Sequence, residues 1–492
     1  MELKVKTSNW AAGIPVAILH RKTAESMGIH PGDRILIKTI SKKYKQMATI
    51  IDTMEKGIKK GELGISLEIK KRVGLREGQK IRISHSQTPQ SIYYIKKKLS
   101  GETLKPKEIN EIIKDVVINT LSEPEIAMFI SAMYKNGMNF KETTDLIDAI
   151  LYSGKRLVFK NKFVVDKHCI GGVAGNRTTP LIVSICAAAG LIMPKTSSRA
   201  ITSAAGTADT MEVLTNVDVS GEDVKKIVKK IGCCLTWGGS MGMVPADSKI
   251  IKVEKMLKID PEAQLLASIM SKKLAVGSKY LLIDIPYGKN AKVTKSKALR
   301  LKKKFEGLAK HFGIKIQVVL TSAKEPIGNG IGPALEMRDI VKILNPIKKG
   351  PLDLEKKSLY LSGILLEMTK KAKKGKGYFI AKEILDSGQA WKKFIQIIKA
   401  QGGEIKEIIP SKISKDIFAK KSGKIKKVNN KLINELSRVA GAPIDKYAGV
   451  YLYQHCSCKI EKGEKILTIY AESKARLEEA LKFYERHLPI KI

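Results

Sequence analysis

Hydrophobic and polar residues alternate along much of the first 85 residues. The segments MGIHPGDRILIK (27–38) and VGLREGQKIRIS (73–84) share two glycines four positions apart, followed by isoleucines at every second position. Alternation with a period of two is typical of a strand with one buried face, and each segment follows a short helix-like stretch. The two similar halves predict a small pseudo-symmetric β-barrel over residues 1–85.

The pattern changes to helical spacing after the linker HSQTPQS. Residues 92–160 carry apolar side chains three and four positions apart, broken at LSEPE and NGMNF, which predicts several short amphipathic helices that form the first part of a helical domain. Ser122 and Glu125 have the spacing of a helix capping box, and Pro124 lies near the helix start, where a missing amide proton is harmless.

Strand-like and helix-like segments then alternate from residue 161 to about 345, and a helical pattern assigned to the same body continues to residue 430. Strand-like KFVVDKH and YLLIDIPY are interspersed with helix-like VKKIVKKIG and EAQLLASIMSKKLA. This alternation predicts an α/β domain with a mostly parallel sheet, whose ligand lies at the carboxyl ends of the strands. Residues 431–492 contain hairpin-like strands and a closing amphipathic helix, and predict a small α+β module. The expected fold class is therefore a multidomain combination of α/β and α+β.

The charge is unusual for such a chain. There are 90 Lys and Arg against 48 Asp and Glu, a net charge of +42. Nucleic acid, a membrane surface or acidic small substrates are possible partners, but the lysines are spread over the whole length, which favours a solvated surface. Aromatic residues make up only 5% and no recognised nucleic-acid motif occurs, so we expect no specific nucleic-acid partner.

Apolar runs and cysteine spacing indicate the expected cellular location and the kinds of site that the chain lacks. The longest apolar run, Leu181–Met193, lies between prolines and is shorter than the ~20 residues that a membrane helix needs. The N-terminus has no long apolar run after its basic residues, so we expect a cytoplasmic protein without a membrane partner. The six cysteines form no pair of C-x-x-C motifs, which argues against a metal site or a disulfide framework.

Two glycine-rich loops carry the candidate chemistry. They are DKHCIGGVAGNRTT (166–179) and KTSSRAITSAAGTADTME (195–212), and each precedes a predicted helix. Small residues let the backbone approach a ligand, while a helix start supplies free amides, a combination that binds anions. Arg199 beside hydroxyl groups suits a tetrahedral phosphate, and Lys167, His168 and Arg177 add charge in the first loop. The alternative is that both loops are only tight turns between strand and helix.

Local spacing makes further predictions at these loops. Thr178 or Thr179 is expected as the N-cap of a helix that contains Pro180, and Asp209 with Glu212 has the spacing of a capping box. A third glycine string, GNGIGP (328–333), lacks the dinucleotide-binding spacing and is expected to be a turn that lines or closes a cleft.

Three further positions have two interpretations each. Asp260, followed by Pro261 and Glu262, reads as a helix N-cap. Ser268 lies on the predicted helix, facing either a ligand or water, and Lys292 follows a strand, where lysines are often solvent-exposed. Spacing alone leaves the role of these side chains open.

The loops resemble those of a known enzyme family. KHCIGGVAGN is similar to the lysine-histidine-serine-x-glycine-glycine loop of thymidine and pyrimidine-nucleoside phosphorylases, and SSRAITSAAGTADTME is similar to their second signature. With the N-terminal barrel added, the chain is most similar to the AMP phosphorylases described from archaea. The resemblance covers nearly the whole chain.

The resemblance implies an activity. It is phosphorolysis of nucleoside 5′-monophosphates (AMP, with CMP and UMP) by inorganic phosphate, giving free base and ribose 1,5-bisphosphate without a cofactor or metal. The expected partners are the nucleotide and phosphate, and the expected assembly is a homo-oligomer, a dimer or larger.

It also implies roles for individual residues. Asp260 takes the place of the proton donor, and Lys167 and His168 match a phosphate-binding pair. The implied substrate-binding residues are Gly172, Ser198, Arg199, Ala200, Ile201, Thr202, Ser203, Thr207, Ser268 and Lys292.

Two departures from the family pattern bear on specificity. Cys169 stands where the loop usually has serine, which weakens or removes one hydroxyl bond to phosphate. The neighbourhood of Val253 and Glu254 lacks the arginine that helps thymidine phosphorylases hold a pyrimidine, which argues for an enzyme that recognises phosphate more than base. A pyrimidine-nucleoside phosphorylase and, more remotely, a basic nucleic-acid-binding protein remain the alternatives.

Overall fold

The computed structural model describes residues 1–8, 10–12, 15–40, 45–86, 88–159, 161–200 and 203–492. The chain folds as two compact units. One combines Met1–Ser153 with Pro245–Ser268, and the other combines Gly154–Val244 with Ile269–Ile492. The predicted helical domain therefore takes a second contribution from the middle of the sequence, so the segment 161–430 is not one continuous body.

The first 85 residues form the predicted barrel, closed in the order β1-β5-β2-β4-β3-β6. Its elements are β1 Glu2–Thr7, β2 Val16–His20, α1 Arg21–Ser26, β3 Arg34–Thr39, β4 Gln46–Met54, β5 Glu62–Ile65, α2 Leu67–Val73 and β6 Lys80–His85. The alternating isoleucines of the two similar segments fall on β3 and β6, which pair antiparallel with Ile37 opposite Ile83. Both side chains are fully buried, because closure of the sheet turns one face of every strand inward.

Four helices follow in the same unit. They are α3 Gln90–Leu99, α4 Pro106–Ile118, α5 Glu123–Asn136 and α6 Phe140–Tyr152. The capping box predicted at the start of α5 is present: the amide and hydroxyl of Ser122 both donate to the Glu125 carboxylate at 2.7 Å. A buried ion pair of 2.8 Å between Lys98 and Glu142 joins α3 to α6.

The central elements alternate between strands and helices, as the sequence predicts. They are β7 Val165–Cys169, α7 Thr178–Ala188, β8 Met193–Ser197, α8 Thr207–Met211, α9 Gly221–Ile231, β9 Cys233–Trp237, α10 Pro245–Leu257, α11 Glu262–Ala275, β10 Tyr280–Tyr287, α12 Lys295–His311, β11 Lys315–Ser322, β12 Gly330–Ile331, α13 Pro333–Leu344, α14 Leu352–Met368, α15 Gly377–Asp386 and α16 Gln389–Ala400. Helix α10 and the start of α11 belong to the first unit, and the boundary falls inside α11, after Ser268.

The central sheet is parallel, as predicted. Strands β11, β10 and β7 pair in parallel, β8 pairs in parallel with β9, and a parallel bridge from Val164 to Ile192 links the two sets. Residues 281–286 of β10 are all buried, because both faces of a parallel sheet are covered by other elements. The carboxyl ends of β7, β8 and β10 consequently lie along one edge of the sheet.

The C-terminal region forms the predicted α+β module. Its elements are β13 Ser414–Phe418, β14 Gly423–Lys424, β15 Lys427–Val428, α17 Asn430–Val439, β16 Gly449–Leu452, β17 Lys459–Ile460, β18 Lys465–Tyr470, α18 Lys474–His487 and β19 Ile490–Lys491. The main sheet has the order β12-β16-β18-β13. Strand β13 precedes residue 431, so this sheet extends across the limit predicted from sequence.

Part of the GNGIGP string, which the sequence suggested is a turn that lines or closes a cleft, forms a short strand. Gly330 and Ile331 form β12, which pairs antiparallel with β16 and joins the central segment to the C-terminal sheet. The Asp339 carboxylate accepts hydrogen bonds from the amides of Asn329 and Gly330 at 2.8 and 2.7 Å. Glycine is required because a Cβ on Gly330 would lie 2.3 Å from the backbone of Leu335.

Within the described ranges, none of the helices combines the length and the apolar character needed to cross a bilayer.

Candidate active site

The first glycine-rich loop turns sharply where β7 ends. Gly171 and Gly172 have φ values of +85° and +89°, in the left-handed region that favours glycine. At Gly172 there is also a steric reason, because an added Cβ would lie 2.6 Å from the amide nitrogen of Lys292. The structure thus brings together two residues predicted to bind substrate, Gly172 from the loop after β7 and exposed Lys292 from the loop after β10.

The second loop follows β8 and closes on itself. A Cβ at Gly206 would lie 2.6 Å from atoms of Ser198, Arg199 and Ala200. The Asp209 carboxylate accepts hydrogen bonds from the amides of Ala200 and Gly206 at 2.7 and 2.8 Å. The loop is therefore held in a tight conformation by an acid in the first turn of α8.

The capping box at this helix differs from the expected one. Helix α8 has Gly206 at its N-cap and Asp209 as the third helical residue, while Glu212 is the C-cap. The predicted pairing of Asp209 with Glu212 is therefore wrong, because α8 spans one short turn and the two acids lie near opposite ends. Ile201 and Thr202, both predicted to bind substrate, lie outside the described residues.

Arg199 directs its guanidinium to carboxylates. Nη1 and Nη2 each donate to a Glu212 oxygen at 2.7 Å, Nη1 also reaches Asp209 at 3.3 Å, and the group lies 5.1 Å from the centre of the Trp237 ring. The hydrogen bonds to Arg199, reinforced by Lys446 at 3.0 Å, hold the pKa of Glu212 at about 2. The two-pronged contact expected for phosphate is made to Glu212, so in this conformation Arg199 shapes the loop.

Arg177 connects the two glycine-rich loops. From its place in the first loop, Nε donates to Glu336 at 2.7 Å, Nη1 to the Thr207 hydroxyl at 3.0 Å and Nη2 to the Ala205 carbonyl at 2.7 Å. The side chain of Glu336 is only 1% exposed. Sequence reasoning missed Glu336, because it lies 159 positions from Arg177 and no local motif marks it.

Lys167 and His168 occupy the end of β7. The buried Lys167 ammonium donates to the Thr178 hydroxyl at 2.7 Å, and burial lowers its pKa. Burial, with a smaller contribution from Lys273, keeps the pKa of half-buried His168 well below its ordinary value. The imidazole is therefore neutral at pH 7, with one ring nitrogen able to donate and the other able to accept a hydrogen bond.

The start of α7 corrects another expectation. Thr178 is the first helical residue and Arg177 is the N-cap, so the N-cap is not the predicted Thr178 or Thr179. The Thr178 hydroxyl instead accepts the Lys167 hydrogen bond. This places a lysine, a hydroxyl and a helix start together below the first loop.

Cys169, at the end of β7, lies next to an asparagine that sequence reasoning did not single out. Nδ2 of Asn176 donates to Sγ of Cys169 at 3.5 Å, and burial raises the pKa of the thiol, so it remains protonated. Oδ1 of Asn176 and Oγ of Ser197 are buried without a hydrogen-bond partner among the described residues. Such atoms are usually satisfied by a ligand or water: the serine hydroxyl can donate to a phosphate oxygen, and the amide oxygen can accept from a sugar hydroxyl.

The remaining predicted residues of the second loop have separate environments. Ser198 is exposed and Ala200 is partly buried. The Ser203 hydroxyl donates to the Ala205 carbonyl at 2.9 Å. These residues belong to the loop that connects β8 to α8, and Thr207 is the first residue of α8.

Asp260 and Ser268 belong to the first compact unit, whereas the other predicted residues belong to the second. Asp260 is exposed and lies two residues before α11. The carbonyl of Pro261 accepts the first helical hydrogen bond, from the amide of Leu265, so Pro261 occupies the N-cap. The expectation that Asp260 is the N-cap residue is therefore wrong by one position, because the helix begins one residue later.

Fold and site together define a class of protein. A parallel sheet whose carboxyl edge carries two glycine-rich loops with lysine, arginine and hydroxyl groups is typical of an α/β enzyme that handles anionic substrates. Three family matches refine this class: a glycosyl transferase family helical bundle domain at residues 92–154, a glycosyl transferase family a/b domain at residues 161–391, and a pyrimidine nucleoside phosphorylase C-terminal domain at residues 424–491.

Relatives that match over the full length of the chain identify the family within this class. The chain is 42% identical to an AMP phosphorylase of Pyrococcus furiosus, over 100% of this chain and 98% of the relative. It is also 42% identical to AMP phosphorylases of Methanococcus aeolicus and Thermococcus kodakarensis, over 100% of this chain and 97% and 98% of those relatives. The chain belongs to the AMP phosphorylase family, as the resemblance of its loops predicted, and is an enzyme of the pentosyltransferase class.

A solved structure supports the fold alone. The chain is similar to anthranilate phosphoribosyltransferase (TrpD) from Thermus thermophilus, with a TM-score of 0.52 and 18% identity. The similarity covers 62% of this chain and 98% of that one.

Proposed function

We propose that this protein cleaves AMP by phosphorolysis and accepts CMP and UMP as further substrates. An oxygen of inorganic phosphate forms a bond to C1′ of the ribose while the glycosidic bond to the base breaks. The base leaves with the bonding electron pair and takes up a proton, and the sugar product is ribose 1,5-bisphosphate. The observation that carries this proposal is the pair of glycine-rich loops joined through Arg177, because the reaction needs two anion sites a short distance apart.

The proposal divides the binding residues between the two anions. Lys167 and His168 bind inorganic phosphate, one as a buried cation and the other as a neutral donor. The nucleotide is bound by Gly172, Ser198, Arg199, Ala200, Ile201, Thr202, Ser203, Thr207, Ser268 and Lys292. The close approach of Gly172 to Lys292 supports a single nucleotide site that both residues line. Arg199 contributes by fixing the loop through Glu212, and its remaining N–H groups are available to the ligand.

Asp260 is proposed to protonate the leaving base. Departure of the base builds positive charge on the sugar, and the attacking phosphate stabilises that charge electrostatically. A proton on the base nitrogen makes the base a better leaving group, and a positioned acid of this kind contributes about 10²–10⁴-fold. The exposed position of Asp260 leaves its carboxyl group accessible to a bound substrate.

Three further properties belong to the proposal. The reaction needs no cofactor and no metal, since phosphate is the co-substrate and lysine and amide groups supply the charge. The protein works in the cytoplasm and assembles into a homo-oligomer, a dimer or larger.

A second candidate is a pyrimidine-nucleoside phosphorylase, favoured by the C-terminal domain match at residues 424–491. One assay separates the two: release of free base from AMP, CMP, UMP, adenosine and thymidine, each with and without phosphate. We expect phosphate-dependent release from the monophosphates and ribose 1,5-bisphosphate as the product detected by mass spectrometry. Equal or faster cleavage of adenosine or thymidine would support the second candidate. The remote alternative, a nucleic-acid-binding protein, requires tight and steeply salt-dependent gel shifts with RNA or DNA.

A further inference from the structure

Strand β7 separates two buried clusters of charge. Adjacent residues of a strand point to opposite faces, so Asp166 and Lys167 face different layers. On the Asp166 side, one carboxylate lies between two ammonium groups, 2.7 Å from Nζ of Lys273 and 3.3 Å from Nζ of Lys195. Asp166, Lys195 and Lys273 are exposed by 1%, 4% and 1%. The single Asp166 carboxylate is therefore the ion-pair partner of two buried lysine side chains.

The opposite face carries a second cluster of buried charge. The Asp284 carboxylate, fully buried on β10, lies 3.0 Å from Nζ of Lys357 on α14. Burial lowers the pKa of Lys167, and this lysine is close enough to both groups that Asp284 opposes the shift and Lys357 adds to it. The Lys167 ammonium itself donates to Thr178. On this face, one buried carboxylate is paired with Lys357 and lies near a second lysine, Lys167.

The two clusters together place four lysines against two aspartates. With every group ionised, two positive charges remain without a buried partner below the first and second loops. Unbalanced charge in a protein interior is costly, and a buried lysine lowers that cost by losing its proton. Burial accordingly lowers the pKa of Lys273 to about 7, while Lys195 and Lys273 lower that of Asp166 despite its burial.

We infer that these clusters are the electrostatic counterpart of a bound tetrahedral dianion, and that an anion entering the glycine-rich loops draws a proton onto Lys273. The inference rests on the proposed function only for the position of the anion. A dianion matches the two excess charges, and a nearby negative charge favours the protonated form of a lysine. Lys195 and Lys167 each lie two residues before the end of a strand that leads into one of the loops.

The neighbours of Lys273 define what else can titrate. Asp166 and His168 lie near it on β7 and Lys195 on β8, and His168 is also influenced by Lys272 on the same helix as Lys273. Cys234 on β9 lies near Asp166 and Lys195, and burial raises its pKa to about 12, so it keeps its proton. His168 is also neutral before an anion binds, so it is the second candidate for taking up the proton. A variant of Lys273 distinguishes these two groups.

Around Lys167, the charged and titratable neighbours are Cys169 on its own strand, Asp284 on β10, Lys357 on α14 and Arg177 in the first loop. Burial raises the pKa of Cys169, and the lysines lower that of Asp284, so neither of these groups changes its protonation near pH 7.

Calorimetric titration of the full chain with sodium sulfate tests the inference. Sulfate is a tetrahedral dianion that does not titrate between pH 6 and 9, so any proton comes from the protein. At pH 8 and constant ionic strength, the binding enthalpy is measured in Hepes and in Tris, which have different ionisation enthalpies. We expect the two values to differ by an amount that corresponds to uptake of about half to one proton per sulfate, and affinity to fall by up to about tenfold per pH unit above pH 7.

Two matched variants test which group takes up the proton when sulfate binds. Lys273→Met leaves Asp166 paired with Lys195 and should abolish the uptake and weaken sulfate binding. Lys279 is an exposed lysine just before the amino end of β10, opposite the end that leads to Lys292. Lys279→Met is the control and should behave like the unaltered chain. The comparison of buffers uses the unaltered chain and so does not depend on folding of either variant.

Several results overturn the inference: equal enthalpies in the two buffers, no detectable sulfate binding, or undiminished uptake in Lys273→Met, which would assign the proton to another group such as His168. A parallel assay of base release from AMP keeps the two proposals distinguishable. Proton uptake without base release supports the inference and contradicts the proposed function, whereas base release without uptake does the reverse.

Discussion

Arg177 and Glu336 form a 2.7 Å ion pair that fixes the two glycine-rich loops to one another. The same guanidinium donates to Thr207 and to the carbonyl of Ala205, so one side chain belongs to the first loop and positions the second. Both partners are shielded from solvent, with side chains exposed by 15% and 1%. Removing Arg177 would leave a buried carboxylate without its partner, which typically costs about 3 kcal/mol or more.

The first prediction concerns this pair. Arg177→Met should raise the KM for AMP by about tenfold or more and lower the free energy of unfolding, because the second loop loses two hydrogen bonds and Glu336 loses its ion pair. The double variant Arg177→Met with Glu336→Gln removes the unpaired charge and should recover much of the stability but not the KM. Steady-state kinetics and denaturant unfolding measure both quantities.

The matched control is Arg21→Met, which breaks an exposed arginine pair with Glu25 and Glu55 in the barrel and should leave both measurements unchanged. If the double variant recovers the KM together with the stability, Arg177 acts only through stability and its positioning role is wrong.

The second prediction uses two neighbouring glycines with similar backbones. Gly171→Ala and Gly172→Ala both place a side chain at positive φ, a strain of about 1–2 kcal/mol. Only at Gly172 does the new Cβ collide with Lys292, whereas Gly171 has open space. We expect Gly172→Ala to raise the KM for nucleotide several-fold above that of Gly171→Ala, measured by base release. Equal kinetics in the two variants would show that contact with Lys292 has no part in binding.

The third prediction tests acid catalysis at Asp260. Asn has nearly the same shape as Asp and keeps one oxygen acceptor, so Asp260→Asn preserves much of the local structure but removes the proton. We expect kcat to fall by about 10²-fold or more while AMP still binds, as followed by calorimetry. Asp223→Asn, in the first turn of α9, is the control and should retain full turnover. Undiminished turnover in Asp260→Asn would leave this residue without a catalytic role.

The fourth prediction concerns pH and the second loop. The pKa of Glu212 is held at about 2 by Arg199 and Lys446, below its ordinary value of 4.5. A lowered pKa in the folded state stabilises the protein above pH 4.5, and the gain is lost as pH falls toward 2. Because its side chain is 24% exposed, we expect Glu212→Gln to lower the free energy of unfolding at pH 6 by about 1–2 kcal/mol after allowance for solvent screening.

Denaturant unfolding between pH 6 and pH 3 tests this prediction. The difference between Glu212→Gln and the unaltered chain should narrow as pH falls below 4.5, whereas Glu479→Gln, in an exposed pair with Lys482, should have little effect at any pH. A difference that stays constant down to pH 3 would contradict the assigned cause.

Local features of the site followed directly from sequence. Gly171 and Gly172 mark a turn that only glycine adopts easily, and Ser122 with Glu125 marks a helix start, because both depend on neighbouring residues alone. The predicted helix N-caps at Thr178 and Asp260 were each wrong by one residue. The Thr178 hydroxyl bonds Lys167 instead, and the helix after Asp260 begins one residue later than predicted. Sequence spacing does not reveal such competition.

The partners of the charged residues were not predictable in this way. Arg199 has the hydroxyl-rich surroundings expected of a phosphate ligand, yet its fork binds Glu212, which in turn contacts Lys446 from the C-terminal region. Glu336 and Lys357 lie more than 70 positions from the residues that they pair with. Pairing across such distances depends on which strands and helices become neighbours, and period-two or period-3.6 patterns carry no such information.

The sequence by itself determined the barrel, the parallel α/β body, the two glycine-rich loops and the family, because these depend on short-range periodicity, glycine chemistry and motifs. Only the tertiary structure decided that Arg177 joins the loops, that GNGIGP contributes a strand to the C-terminal sheet, and that four lysines cluster around two buried aspartates beside β7. These are long-range outcomes: burial removes the charged groups from water, so each must find whatever partner the packing of distant elements brings within a few ångströms.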